Sequence, residues 1–336
     1  MINNLKIKQF KCIDDEDFTF ENLTILTGLN SAGKSSVIQS ILLMSHYFGQ
    51  QKFLSENIIS FAINSNMYLN AKEFSITVDD ACLTKNIDEI NQQGHLPNFT
   101  NEQDIFHIDA NRLGPEELAL YSSENKIGKH GEFIFSYYEQ NKNKAIEKSL
   151  IKSEVSDTLQ SNIDYWLSYI LDVEVELNTE RVTSSHVKVS YKFNKLATAM
   201  SPDSLGAGTS YVVKVLIVCL LAKQGNILLI ENPEIHLHPK AQAKLGEFCA
   251  FVASHGVQVV VETHCEHVIN QIRYEVYKHH IKNDDVVIYY KEDSRKPFEK
   301  IEIKETGHLI RENKEARGNF PTGFFNSTLK ELLEIG

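Results

Sequence analysis

The residues with the most specific chemistry lie near the amino terminus. Gly28-Leu29-Asn30-Ser31-Ala32-Gly33-Lys34-Ser35 has the spacing G-x-x-x-x-G-K-[ST]. Glycines at its two ends let the backbone curl until successive N–H groups face one point. The helix that opens next adds the partial positive charge of its first turn. Such a loop holds a nucleotide triphosphate. Lys34 reaches its β- and γ-phosphates, Ser35 holds Mg²⁺, and Gly28, Asn30, Ser31, Ala32, Gly33 and Ser36 complete the cradle.

A Mg²⁺ ion held this way needs an acidic partner. Ile227-Leu228-Leu229-Ile230-Glu231 places a carboxylate at the end of a short apolar strand. That is the edge at which α/β sheets bind ligands. Glu231 is therefore the second expected metal ligand beside Ser35.

The hydrophobic pattern shows which elements must hold these groups. Residues 5–10 alternate, 18–20 are short and apolar, and 23–27 read as a buried strand leading into the phosphate loop. A helical stretch covers about 34–47. Residues 50–100 are polar and irregular, with a weak strand signal at 74–78, and read as a variable insertion. Strand candidates follow at 105–108 and 132–135, then a helical pattern over 141–171 and a strand at 187–193. From 205 to 275 helix and strand alternate: helix 210–223, strand 227–230, a helix opening at Pro239, strand 257–261, and a helix from near His264. Pro239 suits a first helical turn, where its missing N–H costs nothing. Two alternating strands, 286–290 and 300–304, come last.

Composition narrows the class. At roughly 150 residues per domain, 336 residues make about two domains or one lobed one. A chain of this size buries about three quarters of its surface and needs no disulfide or metal to fold. With 42% hydrophobic and 24% charged residues it is neither disordered nor collagen-like. A net charge of -11 argues against coating nucleic acid by bulk attraction, so any DNA contact needs a local basic patch or a partner. The five scattered cysteines read as reduced thiols in a cytoplasmic protein. No signal peptide is evident. The longest apolar run, 215–222, is bounded by Lys214 and Lys223 and falls far short of the ~20 residues that span a bilayer. No membrane partner is expected.

The motifs occur in the order of the ABC-type ATPases. The chain resembles the branch that includes SMC, double-strand-break repair and OLD (overcoming lysogenization defect) ATPases. The residues that carry the likeness are the phosphate loop, Ser204-Leu205-Gly206-Ala207-Gly208-Thr209-Ser210, the stretch from Ile230 through Glu231-Asn232-Pro233-Glu234 to Pro239, and Val261-Glu262-Thr263-His264. It is more similar still to a bacterial family of small AAA/ABC-like ATPases associated with anti-phage defence. Those end in a short domain with a Pro-x-Gly-Phe-Phe element, here 321–325, and carry a mid-chain motif like Ala110-Asn111-Arg112-Leu113-Gly114-Pro115.

The resemblance implies an α/β fold: an ABC-type ATPase head with a P-loop core sheet, an antiparallel β subdomain and a helical lobe. The implied lobes are 1–140 with the phosphate loop and the insertion, 141–203, 204–282, and a short β extension at 283–336. It implies ATP and Mg²⁺ as cofactors and a head-to-tail, ATP-dependent dimer. Ser210, with Gly206 and Gly208, would cap the γ-phosphate bound by the other copy. His264 would sense that phosphate, and 235–238 would form the loop between the two sites. His236 and His238 would pack at the dimer seam rather than bind metal.

One departure matters. ABC-type sites carry two acids where this chain has Glu231 and Asn232, and the second acts as general base. An amide cannot accept a proton at neutral pH. Either Glu234 or Glu262 takes over, or hydrolysis is slow. Slow hydrolysis suits an ATP-switched dimer that regulates a separate effector chain, a nuclease, in anti-phage defence, with DNA contacted only through that complex. Two other readings stand beside it: a DNA-repair or DNA-clamping ATPase, and a catalytically weak nucleotide-dependent scaffold.

Overall fold

The computed structural model describes residues 1–49, 60–152, 156–194 and 196–311. It divides into two units, Met1–Asn101 with Arg273–Gly336, and Glu102–Ile272. The chain begins with β1 (Asn4–Phe10), β2 (Ile13–Thr19), β3 (Leu23–Gly28), α1 (Lys34–Phe48), α2 (Phe61–Asn64), β4 (Glu73–Val78), β5 (Ala81–Asn86) and β6 (Ile90–Gln93). Next come β7 (Ile105–Ile108), β8 (Leu118–Leu120), α3 (Ile134–Asn141), α4 (Leu159–Leu171), β9 (Val175–Arg181), β10 (His186–Phe193) and α5 (Ala207–Leu221). It continues through β11 (Ile227–Glu231), α6 (Pro239–Ser254), β12 (Gln258–Glu262), α7 (Glu266–Tyr277), β13 (Val286–Lys291), β14 (Glu299–Ile303) and β15 (Leu309–Arg311).

In the first unit, β3 pairs in parallel with β13, in register from Leu23↔Val286 to Gly28↔Lys291. β14 and β15 extend this sheet antiparallel. Every residue of β3 is buried, as expected of a parallel strand covered on both faces. A separate antiparallel sheet runs β2-β1-β4-β5-β6. Helix α1 packs on β1, β3 and β4, burying Val37, Ile38, Ile41 and Met44 at helical spacing.

The stretch expected to be irregular therefore contains three strands. Phe74, Ile76 and Val78 alternate inward, and β5 buries Ala81, Leu83 and Lys85. The outward positions of β5, Cys82, Thr84 and Asn86, give this stretch its polar look. A period of two with a wet face is a strand signal that the overall polarity of the stretch hides.

In the second unit, β7, β11 and β12 run parallel, and β8-β10-β9 form an antiparallel sheet. Two expectations fail here. Residues 132–135 are no strand, because α3 opens at Ile134 after the left-handed Gly131 (φ 77°) and buries Ile134, Phe135 and Tyr138. A short apolar run fits either element by pattern alone. Among the described residues of the stretch 141–171 expected to be helical, only a 3-10 turn at Lys148–Leu150 lies between the end of α3 and α4, which starts where the Thr158 hydroxyl accepts the Ser161 N–H at 3.3 Å. Trp166 of α4 is 1% exposed and meets Phe248 of α6 edge to face, with ring centroids 4.9 Å apart.

The α4 residue Asp164 accepts the Leu177 N–H at 2.8 Å, and burial pushes its carboxyl up to about 7. The folded chain thus keeps a proton that the unfolded chain releases near its ordinary value of 3.8. Stability from this group is full below that value and is lost as pH rises through about 7. Asp164→Asn should remove this slope. Thermal midpoints measured from about pH 4 to about pH 8 should fall for the wild type relative to the variant.

Candidate functional site

The phosphate loop lies in the first unit. Gly28 adopts φ 133°, and a Cβ there would overlap the carbonyl oxygen of Lys291. Only glycine fits where β3 runs this close to β13. Leu29 N–H then donates to that same Lys291 oxygen at 3.0 Å. Ser31 (φ 57°) and Gly33 (φ 112°) are left-handed, which turns the chain abruptly into α1. No side chain caps α1. Its first-turn amides and dipole therefore form an anion site by construction. Lys34 is 3% exposed, and its Nζ donates to Leu29 O at 2.7 Å and to Gly28 O at 3.3 Å. Ala32 and Ser36 are buried and Ser35 is half-buried. Asn30 and Ser31 are exposed at the tip. Ala32 O accepts a weak bond from Cys12 Sγ at 3.6 Å. The uncapped helix, the curled backbone and the held ammonium fit a triphosphate.

The acidic turn lies in the second unit. β11 ends in Glu231, which is 9% exposed and pairs through Oε1 with His107 Nε2 of β7 at 3.0 Å. The chain then turns sharply. Asn232 has φ 44°, and its N–H donates to Glu262 O at 2.7 Å. Its Oδ1 is buried and, among the described residues, unpartnered. Asparagine is among the few residues that accept a left-handed conformation without much strain. The amide that reads as a lost base thus has a backbone reason to stand here.

Glu234 is 9% exposed. Its Oε1 accepts the Thr263 hydroxyl at 2.7 Å and the His264 N–H at 3.3 Å. Its Oε2 is buried with no partner among the described residues. Burial raises its carboxyl above the ordinary range, against the opposing bonds from Thr263 and the backbone. Glu262, the other candidate base, is 5% exposed at the end of β12, in register with Glu231. His264 is exposed just beyond it. Glu231, Asn232, Glu234 and His264 thus share one edge of the parallel sheet.

The Gly206–Ser210 turn differs from expectation. α5 starts at Ala207, with Gly206 as its N-cap. Ser210 is 1% exposed, turned inward beside the buried Tyr191. It is closed to any second copy in this conformation. A Cβ on Gly208 would come within 2.5 Å of His236 O, so that glycine serves close packing. Gly206 is exposed and a Cβ on it would meet nothing. The register of Ser210 on α5, and not its place in the motif, decides which way it points. His236 (φ 62°) is exposed with its ring 5.2 Å from that of Tyr211. His238 caps α6, accepting Lys240 N–H at 3.4 Å.

Two residues that hold this turn from elsewhere in the chain carry no role in the sequence pattern. His107 pairs with Glu231. Arg112, 3% exposed, donates from Nη1 to Glu231 O and from Nη2 to Asn232 O, both at 3.1 Å. Burial lowers its guanidinium to about 10. The mid-chain motif at 110–115 was the only signal for it. The Pro-x-Gly-Phe-Phe element lies outside the described residues. Among the described residues, no helix is long and apolar enough to cross a membrane.

Residues 96–270, just over half of the chain, match the model of the family described as "AAA domain, putative AbiEii toxin, Type IV TA system". The OLD nuclease of Thermus scotoductus is 19% identical over 350 residues, covering 90% of this chain and 66% of that protein. The DNA replication and repair protein RecF of Francisella tularensis subsp. novicida is 27% identical over 194 residues, covering 52% of this chain and 51% of RecF. The chain thus spans just under two thirds of the first relative and about half of the second. Among solved structures, an Smc head bound to the C-winged helix domain of ScpA superposes with a TM-score of 0.57 at 12% identity, over 90% of this chain and 98% of that one. An Smc head with an extended coiled coil, bound to the C-terminal domain of ScpA and derived from Pyrococcus furiosus, gives 0.51 at 12% identity over 99% of both chains. The expected fold class is the one observed, an α/β head with mixed sheets and several helices. By the match over more than half of its length, the chain belongs to this AAA-domain family and has the fold of an SMC-type ATPase head.

Proposed function

We propose that the chain binds ATP with Mg²⁺, hydrolyses it slowly, and associates head to tail with a second copy while ATP is bound. The observation that carries this reading is the uncapped start of α1, with Lys34 held inside the left-handed loop beside it. In this reading Lys34 and the loop amides of Gly28–Ser36 hold the phosphates, and Ser35 and Glu231 hold the metal. Asn232 orients water, and Glu234, the buried carboxylate with a spare oxygen, takes its proton. His264 senses the γ-phosphate. With the proton taken by Glu234, two positions beyond the place of the missing second acid, turnover well below the ~10 s⁻¹ median of enzymes is expected.

Likeness to the OLD nuclease supports a link to nuclease action; in our reading this cytoplasmic head governs a separate effector nuclease in anti-phage defence. Likeness to RecF supports a second reading, a DNA-clamping ATPase. The lobes 1–140, 141–203, 204–282 and 283–336 remain the proposed division of labour.

Since Ser210 faces inward, the surface offered to a second copy is the exposed end of α5 at Gly206. Mg²⁺–ATP should shift a monomer–dimer equilibrium toward the dimer by mass action. Gly206→Arg, whose side chain enters open space, should keep ATP affinity and remain monomeric. Light scattering with and without nucleotide checks both. A dimer that forms equally well in Gly206→Arg would show that this edge is not the interface.

A further inference from the structure

The buried cations of the second unit are unusual in what they bind. Among the described residues, Arg112 forms no ion pair with a carboxylate. Its guanidinium instead gathers backbone carbonyls: Nη1 donates to Asp109 O at 3.3 Å and Glu231 O at 3.1 Å, and Nη2 to Asn232 O at 3.1 Å and Pro233 O at 3.5 Å. Three of those oxygens belong to successive residues of the turn that carries Glu231, Asn232 and Glu234. The same guanidinium lies 5.1 Å from the ring centre of Tyr211, in the first turns of α5. Tyr211 also approaches His236, at 5.2 Å between centroids. A few residues on, Lys214 of α5 is fully buried and donates to Leu113 O at 3.0 Å and Glu116 Oε2 at 2.7 Å. The segment Asp109–Glu116 is thus tied to the acidic turn at one end and to α5 at the other.

Desolvating a guanidinium is costly, and a fork that satisfies several carbonyls of one turn repays this by fixing that turn. The turn needs fixing, because Asn232 and His236 both sit at positive φ within five residues. Such conformations persist only where the surroundings over-determine them. The planar fork is also the feature that lysine lacks.

We propose that Arg112 is a positioning residue for ATP hydrolysis, setting the Glu231–Glu234 turn through its carbonyls and tying it to α5 through the Tyr211 ring. This rests on the hydrolytic reading above and adds to it a residue that acts through others. Its job is geometry at the hydrolytic turn and not affinity for nucleotide, since the groups proposed to hold the phosphates lie on the Gly28–Ser36 loop.

The test uses the full chain with Mg²⁺–ATP and compares wild type with Arg112→Lys, Arg112→Gln, Tyr211→Phe and Tyr211→Leu. Three quantities are measured: the single-turnover hydrolysis rate, ATP affinity by calorimetry, and the thermal midpoint. A turn displaced by about an ångström should slow Arg112→Gln about 100-fold, with ATP affinity within about threefold of wild type. Arg112→Lys should recover part of the loss, staying about tenfold slow, because charge returns without the fork. Tyr211→Phe should match wild type, and Tyr211→Leu should be about tenfold slow. Rates at the wild-type level in both Arg112 variants would overturn the proposal. So would a joint fall of rate, affinity and midpoint, which marks a merely structural role. If neither Arg112 variant folds, equal rates for Tyr211→Phe and Tyr211→Leu overturn it. A wild-type chain that neither binds nor hydrolyses ATP defeats the functional reading itself, whereas an active wild type with silent variants defeats only the positioning role.

Discussion

Lys34→Ala should lose about 100-fold in ATP affinity while its thermal midpoint stays close to that of the wild type. Lys34 is nearly buried, yet its ammonium donates to loop carbonyls, Leu29 O at 2.7 Å and Gly28 O at 3.3 Å. A triphosphate is a stronger acceptor for that ammonium than either carbonyl oxygen. A charge-assisted bond is worth about 1.5–3 kcal/mol, or roughly 10- to 150-fold in affinity. The alanine also removes the brace between two loop carbonyls, so the cradle is less well formed before nucleotide arrives. Both effects fall on binding. The core beneath α1 is built from Val37, Ile38, Ile41 and Met44, which the change leaves alone. Lys34→Arg keeps the charge but brings a wide planar head into a space shaped for an ammonium, and should restore only part of the affinity. Calorimetry with Mg²⁺–ATP decides. An alanine variant within about threefold of wild type would end the phosphate-loop reading.

The parts of this site that are legible in the sequence are those in which chemistry and spacing are local. The phosphate loop is eight consecutive residues between a strand and a helix, and Glu231 ends a continuous apolar run. What was not legible depends on partners far along the chain. Arg112 finds the carbonyls of Glu231 and Asn232 from 119 and 120 positions away. Ser210 reads as an outward-facing motif residue, but the helix start at Ala207 and the β10 residue Tyr191 turn it inward. Asn232 shows the same limit more sharply. Its identity looks like the loss of an acid, and only the backbone angle of 44° supplies a conformational reason for an amide there. In the fold, the α/β alternation from 205 onward was readable because its strands are apolar apart from their end residues. β5 was missed because half of its residues face outward.

The identity of the base gives the other large effect. Glu234→Gln should slow single-turnover hydrolysis by roughly 10²–10⁴-fold, with little change in ATP affinity. The amide can still accept the Thr263 hydroxyl and the His264 N–H through its oxygen, so the turn survives and only the proton acceptor is lost. The pH dependence follows from burial. Desolvation holds the Glu234 carboxyl above its ordinary value of 4.5, and a base must be ionised to work. The wild-type rate should therefore fall on acidification at a higher pH than an ordinary glutamate would give, and Glu234→Gln should lack that acid limb. Position 232 provides the cross-check. Asn232→Asp keeps a residue that tolerates positive φ and adds a second negative charge near Glu231 and Glu234. It should raise the rate and move the acid limb to still higher pH. Asn232→Glu brings a longer carboxylate but costs about 1–2 kcal/mol of backbone strain, so its gain should come with a lower thermal midpoint. If Glu234→Gln hydrolyses ATP at the wild-type rate, Glu234 serves only to anchor Thr263 and His264. Glu262→Gln would then be the variant that loses the rate, and the proton would leave by the β12 edge of the sheet instead.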